Sequence, residues 1–293
     1  METNLPLQIS LQPYLLKAYH FKLGLKFISL LNAIPKGNIF LFFIWGKGTW
    51  DHRKAHNYKI NNPGGIYVLG QQFEIFKFST NYDELDIIGF ELNPIVFQQV
   101  FGISTNSIVN EMVCINDKLS LDLVETNNPV SGEVTLANQL KKFENLLWKK
   151  IQTKSHITFD DLNQAISIID FYGGNICIKN LAEMLQMGTR SLERRFHTVL
   201  GVTPKTYSKI IQFNNAFRMM VQTNRKIVEI AHEAGYYDQA HFVNHFRKIC
   251  GMCPSQFWAE RNLTHGNGIP KKIRTKNNRV GNTFYYENQL YFY

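Results

Sequence analysis

Ile230-Ala231-His232-Glu233-Ala234-Gly235-Tyr236-Tyr237-Asp238-Gln239-Ala240-His241-Phe242, then Phe246-Arg247 and Gly251-Met252-Cys253-Pro254, is the stretch that decides the fold. A short helix is expected at about Ile227–Ala234. Gly235-Tyr236-Tyr237 reads as a tight turn, and Asp238 as the cap of a second helix over Gln239–Cys250. Phe242 and Phe246, four residues apart, fall on one buried stripe. Gln239, His241, Asn244, His245 and Arg247 are left facing out. Small Ala231 lets the two helices cross closely.

The same pattern occurs once before. Leu192, Phe196, Gly201, Pro204 and Tyr207 recur as Phe242, Phe246, Gly251, Pro254 and Phe257, each 50 residues later. Leu181-Ala182 recurs as Ile230-Ala231, 49 residues later, so the difference of one lies in the turn. A repeat at a fixed offset implies one supersecondary unit used twice. In the first copy a helix spans about Ile178–Leu185, Gln186-Met187-Gly188 is the turn, and a second helix runs over Thr189–Leu200. Leu192, Phe196 and Leu200 form its inner stripe, while Arg190, Ser191, Glu193, Arg194, His197 and Thr198 face out. Lys205–Val221 reads as a helix connecting the two copies.

Two crossed helices joined by a tight turn make a helix-turn-helix, whose second helix enters the major groove of DNA. The outer residue types suit that task. Arginine pairs with guanine edges, and Gln and Asn with adenine edges. Lys205, Lys209, Arg225, Lys226 and Lys248 are candidates for phosphate contacts, which set affinity and register. Charge agrees with this. Residues 1–170 hold 15 Lys/Arg against 16 Asp/Glu, and residues 171–261 hold 12 against 6. The tail from 262 adds five against one, for +9 in all. A near-neutral front and a basic back fit an assembly or sensor domain joined to a polyanion-binding one.

At these residues the sequence resembles the AraC/XylS family of bacterial transcription regulators, over about Asn175–Arg261. The resemblance implies base contacts from Arg190, Glu193 and Arg194 in the first reading helix, and from Gln239, His241, Val243 and Asn244 in the second. Ser191 and Arg247 share those faces. It further implies a DNA partner and RNA polymerase as a second partner; a cytoplasmic location is expected because no signal peptide and no membrane-length apolar run is evident. Three positions depart from the family pattern: Gln186 replaces a turn glycine, Gln212 replaces an arginine, and Cys253 replaces a Ser or Thr before Pro254. Ile34-Pro35-Lys36-Gly37, Ile88-Gly89-Phe90-Glu91-Leu92-Asn93-Pro94 and Phe101-Gly102 resemble an N-terminal domain found in part of the same family. That match identifies no ligand; many family members sense small molecules through an N-terminal domain, so an effector is open, as is a homodimer.

The first 125 residues read mostly as strands: short runs such as Ile39–Trp45, Ile66–Leu69, Phe73–Phe78 and Leu85–Leu92, punctuated by Gly and Pro. Residues 61–65 read as a turn. Leu136, Leu140, Phe143 and Leu147 then fall on one helical stripe, with Ser131 as a cap near its start. A further helix begins after Asp160-Asp161, with Leu162, Ile166 and Ile169 inward. The fold class expected is α+β in two domains, a β-rich N-terminal domain followed by an all-α domain with two helix-turn-helix units. The expected bounds are 1–125 for the sensor or assembly domain, 126–174 for a helical linker, 175–261 for the DNA-binding domain and 262–293 for a basic flexible tail.

Other chemistries fit less well. The longest apolar run, Ile39–Trp45, is seven residues, against about 20 for a membrane helix. No signal peptide is evident, so the four cysteines are expected as thiols. Cys250-Gly251-Met252-Cys253 has redox spacing, but it repeats the turn Leu200-Gly201-Val202-Thr203. His241, His245, Cys250 and Cys253 offer a zinc reading, and Asp51, His52 and His56 a looser metal cluster in a loop; neither is preferred. No phosphate-cradling loop and no nucleophile–base arrangement is present, so no enzyme activity and no cofactor is expected. The rival reading is an enzyme or ligand-binding protein whose helical C-terminus is only structural.

Overall fold

A computed structural model describes residues 2–7, 11, 14–24, 30–46, 50–53, 57–60, 65–80, 84–115, 133–153, 160–223, 225–257, 283–286 and 289–292. Residues 61–64 of the expected turn at 61–65, the Ser131 cap and His56 lie outside them, and Gly65 begins a strand. The strands are β1 (Glu2–Leu5), β2 (Leu15–Gly24), β3 (Leu30–Ala33), β4 (Ile39–Gly46), β5 (Trp50–Arg53), β6 (Asn57–Ile60), β7 (Gly65–Leu69), β8 (Phe76–Thr80), β9 (Glu84–Leu92), β10 (Met112–Cys114), β11 (Thr283–Tyr286) and β12 (Gln289–Phe292). The helices are α1 (Pro94–Phe101), α2 (Glu133–Gln152), α3 (Asp160–Phe171), α4 (Ile178–Met184), α5 (Thr189–Leu200), α6 (Pro204–Gln222), α7 (Ile227–Glu233) and α8 (Gln239–Cys250). The chain forms two compact units. The first holds residues 1–30, 38–70 and 77–158, and the second holds 31–37, 71–76 and 159–293.

The first unit is built on a six-stranded antiparallel sheet in the order β1-β2-β9-β4-β7-β10. Its central strand, β9, reads Glu-Leu-Asp-Ile-Ile-Gly-Phe-Glu-Leu, and both faces of its second half are buried. Phe90, Phe43 and Phe143 form an aromatic cluster, with Phe143 of α2 at 4.0 Å from Phe90 and 5.6 Å from Phe43. Leu140, Phe143 and Leu147 of the expected α2 stripe are buried, and the Leu136 side chain lies outside the described ones. Of the stretch expected as a helical linker, α2 groups with the first unit and α3 with the second. Leu162, Ala165 and Ile169 are the inner residues of α3; Ile166, expected inward, is half-buried.

The second unit carries the repeat, and its local geometry repeats bond by bond. Leu185 N–H donates to Leu181 O at 3.2 Å, Gln186 N–H to Glu183 O at 3.0 Å and Met187 N–H to Ala182 O at 3.0 Å. Forty-nine residues on, Ala234 N–H donates to Ile230 O at 2.9 Å, Gly235 N–H to His232 O at 3.0 Å and Tyr236 N–H to Ala231 O at 2.9 Å. Helices α5 and α8 then run over the same twelve positions of the repeat, and each ends on a left-handed glycine, Gly201 and Gly251, with φ of 75° at both. Asp238 caps α8 by accepting from His241 N–H at 2.7 Å, as its position before the helix predicts. Gly188 caps α5 without a side chain.

Helix α6 joins the copies. Its Tyr207 packs edge-on against Phe196 of α5 at 5.9 Å. Phe213 and Phe217 face Phe246 of α8 at 5.7 and 6.2 Å, and Phe217 meets Phe257 at 5.3 Å. Phe213, Phe217, Phe242 and Phe246 are fully buried, which contributes about 2–3 kcal/mol per side chain. Ile34, at 1% exposure, lies in this same core with Ile230, Phe242 and Ile249. Ile75 packs against it, and Ile75 N–H donates to Ile249 O at 3.0 Å near the end of α8.

The C-terminal segment differs from the flexible tail expected. Strands β11 and β12 pair as an antiparallel hairpin, with Thr283 opposite Phe292 and Tyr286 opposite Gln289. The physical reason is composition: Phe284, Tyr285, Tyr286, Tyr291 and Phe292 are strong strand formers. The basic residues 262–282 lie outside the described residues.

Candidate nucleic-acid interface

Helices α5 and α8 each bury one stripe and leave the rest to solvent. On α5, Leu192, Phe196 and Leu200 are buried, while Arg190, Glu193 and Arg194 are exposed and Ser191 is half-buried. On α8, Phe242, Phe246, Ile249 and Cys250 are buried. Gln239, His241, Asn244 and Arg247 are exposed, and Val243 is half-buried. Seven of the nine base-reading candidates are thus exposed on one of the two helices, and Ser191 and Val243 are half-buried there. None is in the core.

His245 departs from the outward-facing reading. It is half-buried, and its Nδ1 lies 2.8 Å from the Tyr236 hydroxyl. Its ring also sits 5.9 Å from Phe213. Burial, helped by the charges of Lys209, His241 and Lys248, lowers its pKa to about 4, so the imidazole is neutral at physiological pH. Burial likewise pushes the Tyr236 hydroxyl above the usual tyrosine range, so it stays protonated. Position on a helix wheel places His245 at the edge of the outer face. Tyr236 in the preceding turn and Phe213 of α6 are the contacts its ring makes.

Arg247 and His241 are outward but held. The Arg247 guanidinium donates to Cys253 Sγ at 2.9 Å. The His241 ring stacks edge-on against Tyr236 at 5.3 Å. Cys253, standing where Thr203 stands in the first copy, does not cap with its side chain; its backbone N–H donates to Gln256 Oε1 at 2.9 Å instead. Thr203 accepts from Thr206 N–H at 3.1 Å. The contacts of Cys253 and His245 are thus structural ones, and among the described residues no three His, Cys, Asp or Glu groups are placed to hold a metal ion.

The phosphate candidates are not equivalent. Lys205, Lys226 and Lys248 are exposed. Arg225 is exposed and paired with Glu233. Lys209 is half-buried: its ammonium donates to Gln212 Oε1 at 2.9 Å and lies 5.9 Å from the centre of the Tyr236 ring. Burial first, and Lys205 second, lower its pKa.

With this geometry in view, residues 181–260 match the family model described as a helix-turn-helix domain. The lactose operon transcription activator of Staphylococcus xylosus is 26% identical over 165 residues, covering 54% of this chain and 57% of that protein. The transcriptional activator RhaS of Pectobacterium carotovorum is 32% identical over 75 residues, covering 26% of this chain and 27% of its own length. Residues 181–260 are thus a helix-turn-helix domain, and this region is similar to the transcription activators just named. This chain thus spans little more than half the length of the first of these relatives, and about a quarter of the second. An AraC-type DNA-binding domain structure from Chromobacterium violaceum is 25% identical, covers 34% of this chain and 91% of its own, and has a TM-score of 0.33. Among the described residues, no helix is long and apolar enough to cross a membrane.

Proposed function

We propose that this protein is a sequence-specific DNA-binding transcription regulator of the AraC/XylS type. The observation that carries the reading is the duplicated helix-turn-helix unit whose two second helices, α5 and α8, keep their donor-rich faces in solvent. Arg190, Ser191, Glu193 and Arg194 read bases in one major groove, and Gln239, His241, Val243, Asn244 and Arg247 in the next. The two grooves are about 34 Å apart on one side of the duplex. Lys205, Arg225, Lys226 and Lys248 meet phosphates, with Lys209 adding charge behind them. The relatives named as activators support RNA polymerase as a partner and activation as the outcome. A small-molecule effector acting on the β-rich unit, a homodimer and a cytoplasmic location complete the proposal, with no enzymatic step.

Selection of bound sequences from a random DNA pool by the full chain tests this. The expected result is a preferred site with two half-sites about one helical turn apart and a steep fall of affinity with salt. A chain that selects no sequence and ignores DNA at low ionic strength overturns the proposal.

A further inference from the structure

Gln212 is a polar side chain within the apolar face of α6, at 2% exposure. Its Nε2 donates to Ala234 O at 3.0 Å and to Gly235 O at 2.9 Å, using both amide hydrogens. Its Oε1 accepts from the Lys209 ammonium at 2.9 Å. A buried amide satisfied on both sides in this way fixes its surroundings. Ala234 and Gly235 are the C-cap of α7 and the left-handed residue after it, the place where a helix leaves carbonyls without an intrahelical partner. Among the described residues, no side chain holds the corresponding carbonyls of Leu185 and Gln186 in the first turn. The clamp belongs to the second copy.

The path from the clamp to α8 is short. Tyr236 is next in sequence, its hydroxyl bonds to His245 Nδ1, and His245 lies on α8 beside Asn244. We propose that Gln212 is a positioning residue for base reading by α8. By holding the carbonyls of Ala234 and Gly235 it sets the angle at which α8 leaves the turn, and with it the reach of Gln239, His241 and Asn244. The role rests on the DNA-reading proposal, and it makes specificity in one half-site depend on a side chain that touches no DNA.

The test uses the full chain and the site selected from the random pool. The half read by each helix is assigned by which base positions relax in Arg194→Ala and in Asn244→Ala. Gln212→Met keeps the length of the side chain and removes all three bonds. Gln212→Glu keeps the acceptor for Lys209 and removes both donors, so it serves if the methionine variant does not fold. Either is expected to lower discrimination against altered base pairs about tenfold in the α8 half only. Discrimination in the α5 half and affinity for random DNA stay within about twofold. Gln212→Arg, which restores donors toward the two carbonyls, recovers most of the loss. Equal losses in both halves, or unchanged discrimination in a folded variant, overturn the positioning role while leaving the DNA reading intact. A wild-type chain without sequence preference overturns both.

Discussion

Gln186 and Gly235 occupy the same place in the two turns, and both are left-handed, with φ of 53° and 72°. The repeat imposes this conformation whether or not the residue suits it. At Gly235 a side chain would in addition meet Asn175, whose amide nitrogen lies 2.2 Å from the position of a Cβ. At Gln186 the side chain is exposed, so the only penalty is the backbone conformation itself.

Replacing Gln186 with glycine is therefore expected to stabilise the second unit. Relief of the left-handed strain, about 1–2 kcal/mol, exceeds the added entropy of the unfolded chain, about 0.5–1 kcal/mol. The net gain is about 0.5–1 kcal/mol. Urea unfolding of Gln186→Gly against wild type measures it; a loss of stability would show that the turn needs the glutamine side chain. Gly235→Ala goes the other way, costing about 2 kcal/mol or more.

Base-reading and phosphate-contacting residues separate by how they fail. Arg194→Ala is expected to cost about 1–3 kcal/mol on the selected site and to relax preference at one or two base positions. Lys248→Ala is expected to weaken binding to all sequences alike and to reduce the salt slope by about one. Lys209→Ala should change that slope less than Lys248→Ala, because its ammonium is engaged with Gln212 and partly withdrawn from solvent. Titrations of binding at several salt concentrations distinguish the three. Identical slopes and preferences in Arg194→Ala and Lys248→Ala would remove Arg194 from the reading face.

The helical domain is largely legible in the sequence because its signals are local. Period, caps and a fixed repeat offset locate α5 and α8, the Asp238 cap and the glycine stops, and these depend on residues within one or two turns of each other. The direction of His245 is not legible, because it depends on Tyr236, a contact that a helix wheel cannot represent. Ile34 is out of reach for a different reason. It stands before a β-strand in sequence, and nothing in its neighbourhood announces that it joins Phe242 and Phe246 in the core of the second copy. The hairpin of β11 and β12 is hidden by the Asn- and Lys-rich run before it, which dominates the composition of the tail.

The burial of Ile34 makes it a structural residue of the second helix-turn-helix. Ile34→Ala is expected to cost about 2–4 kcal/mol, as deletion of a buried aliphatic side chain usually does. The loss should appear as faster hydrogen exchange in α7 and α8, whose Ile230, Ala231, Phe242 and Ile249 share its cluster. Helix α5, outside that cluster, should be protected as in wild type. Uniform exchange across both copies would mean that Ile34 supports the unit as a whole rather than this core.

His245 gives the domain a defined response to acid. Its pKa falls from an ordinary 6.5 to about 4 in the folded chain. Between those values the unfolded chain binds the proton and the folded chain does not, so stability rises with pH in this window. The contribution is complete above about 6.5, drains away as the pH falls toward 4, and changes no further below. Discounted for partial exposure, it is about 1–2 kcal/mol between pH 7 and 4.5. His245→Gln keeps a partner for the Tyr236 hydroxyl but cannot titrate. The difference in unfolding free energy between wild type and His245→Gln is therefore expected to shift in favour of the variant as the pH is lowered through this window. Carboxylates that titrate over the same range are common to both proteins and cancel. A difference that stays constant from about pH 7 to 4.5 would mean that the imidazole accepts its proton without leaving the Tyr236 contact.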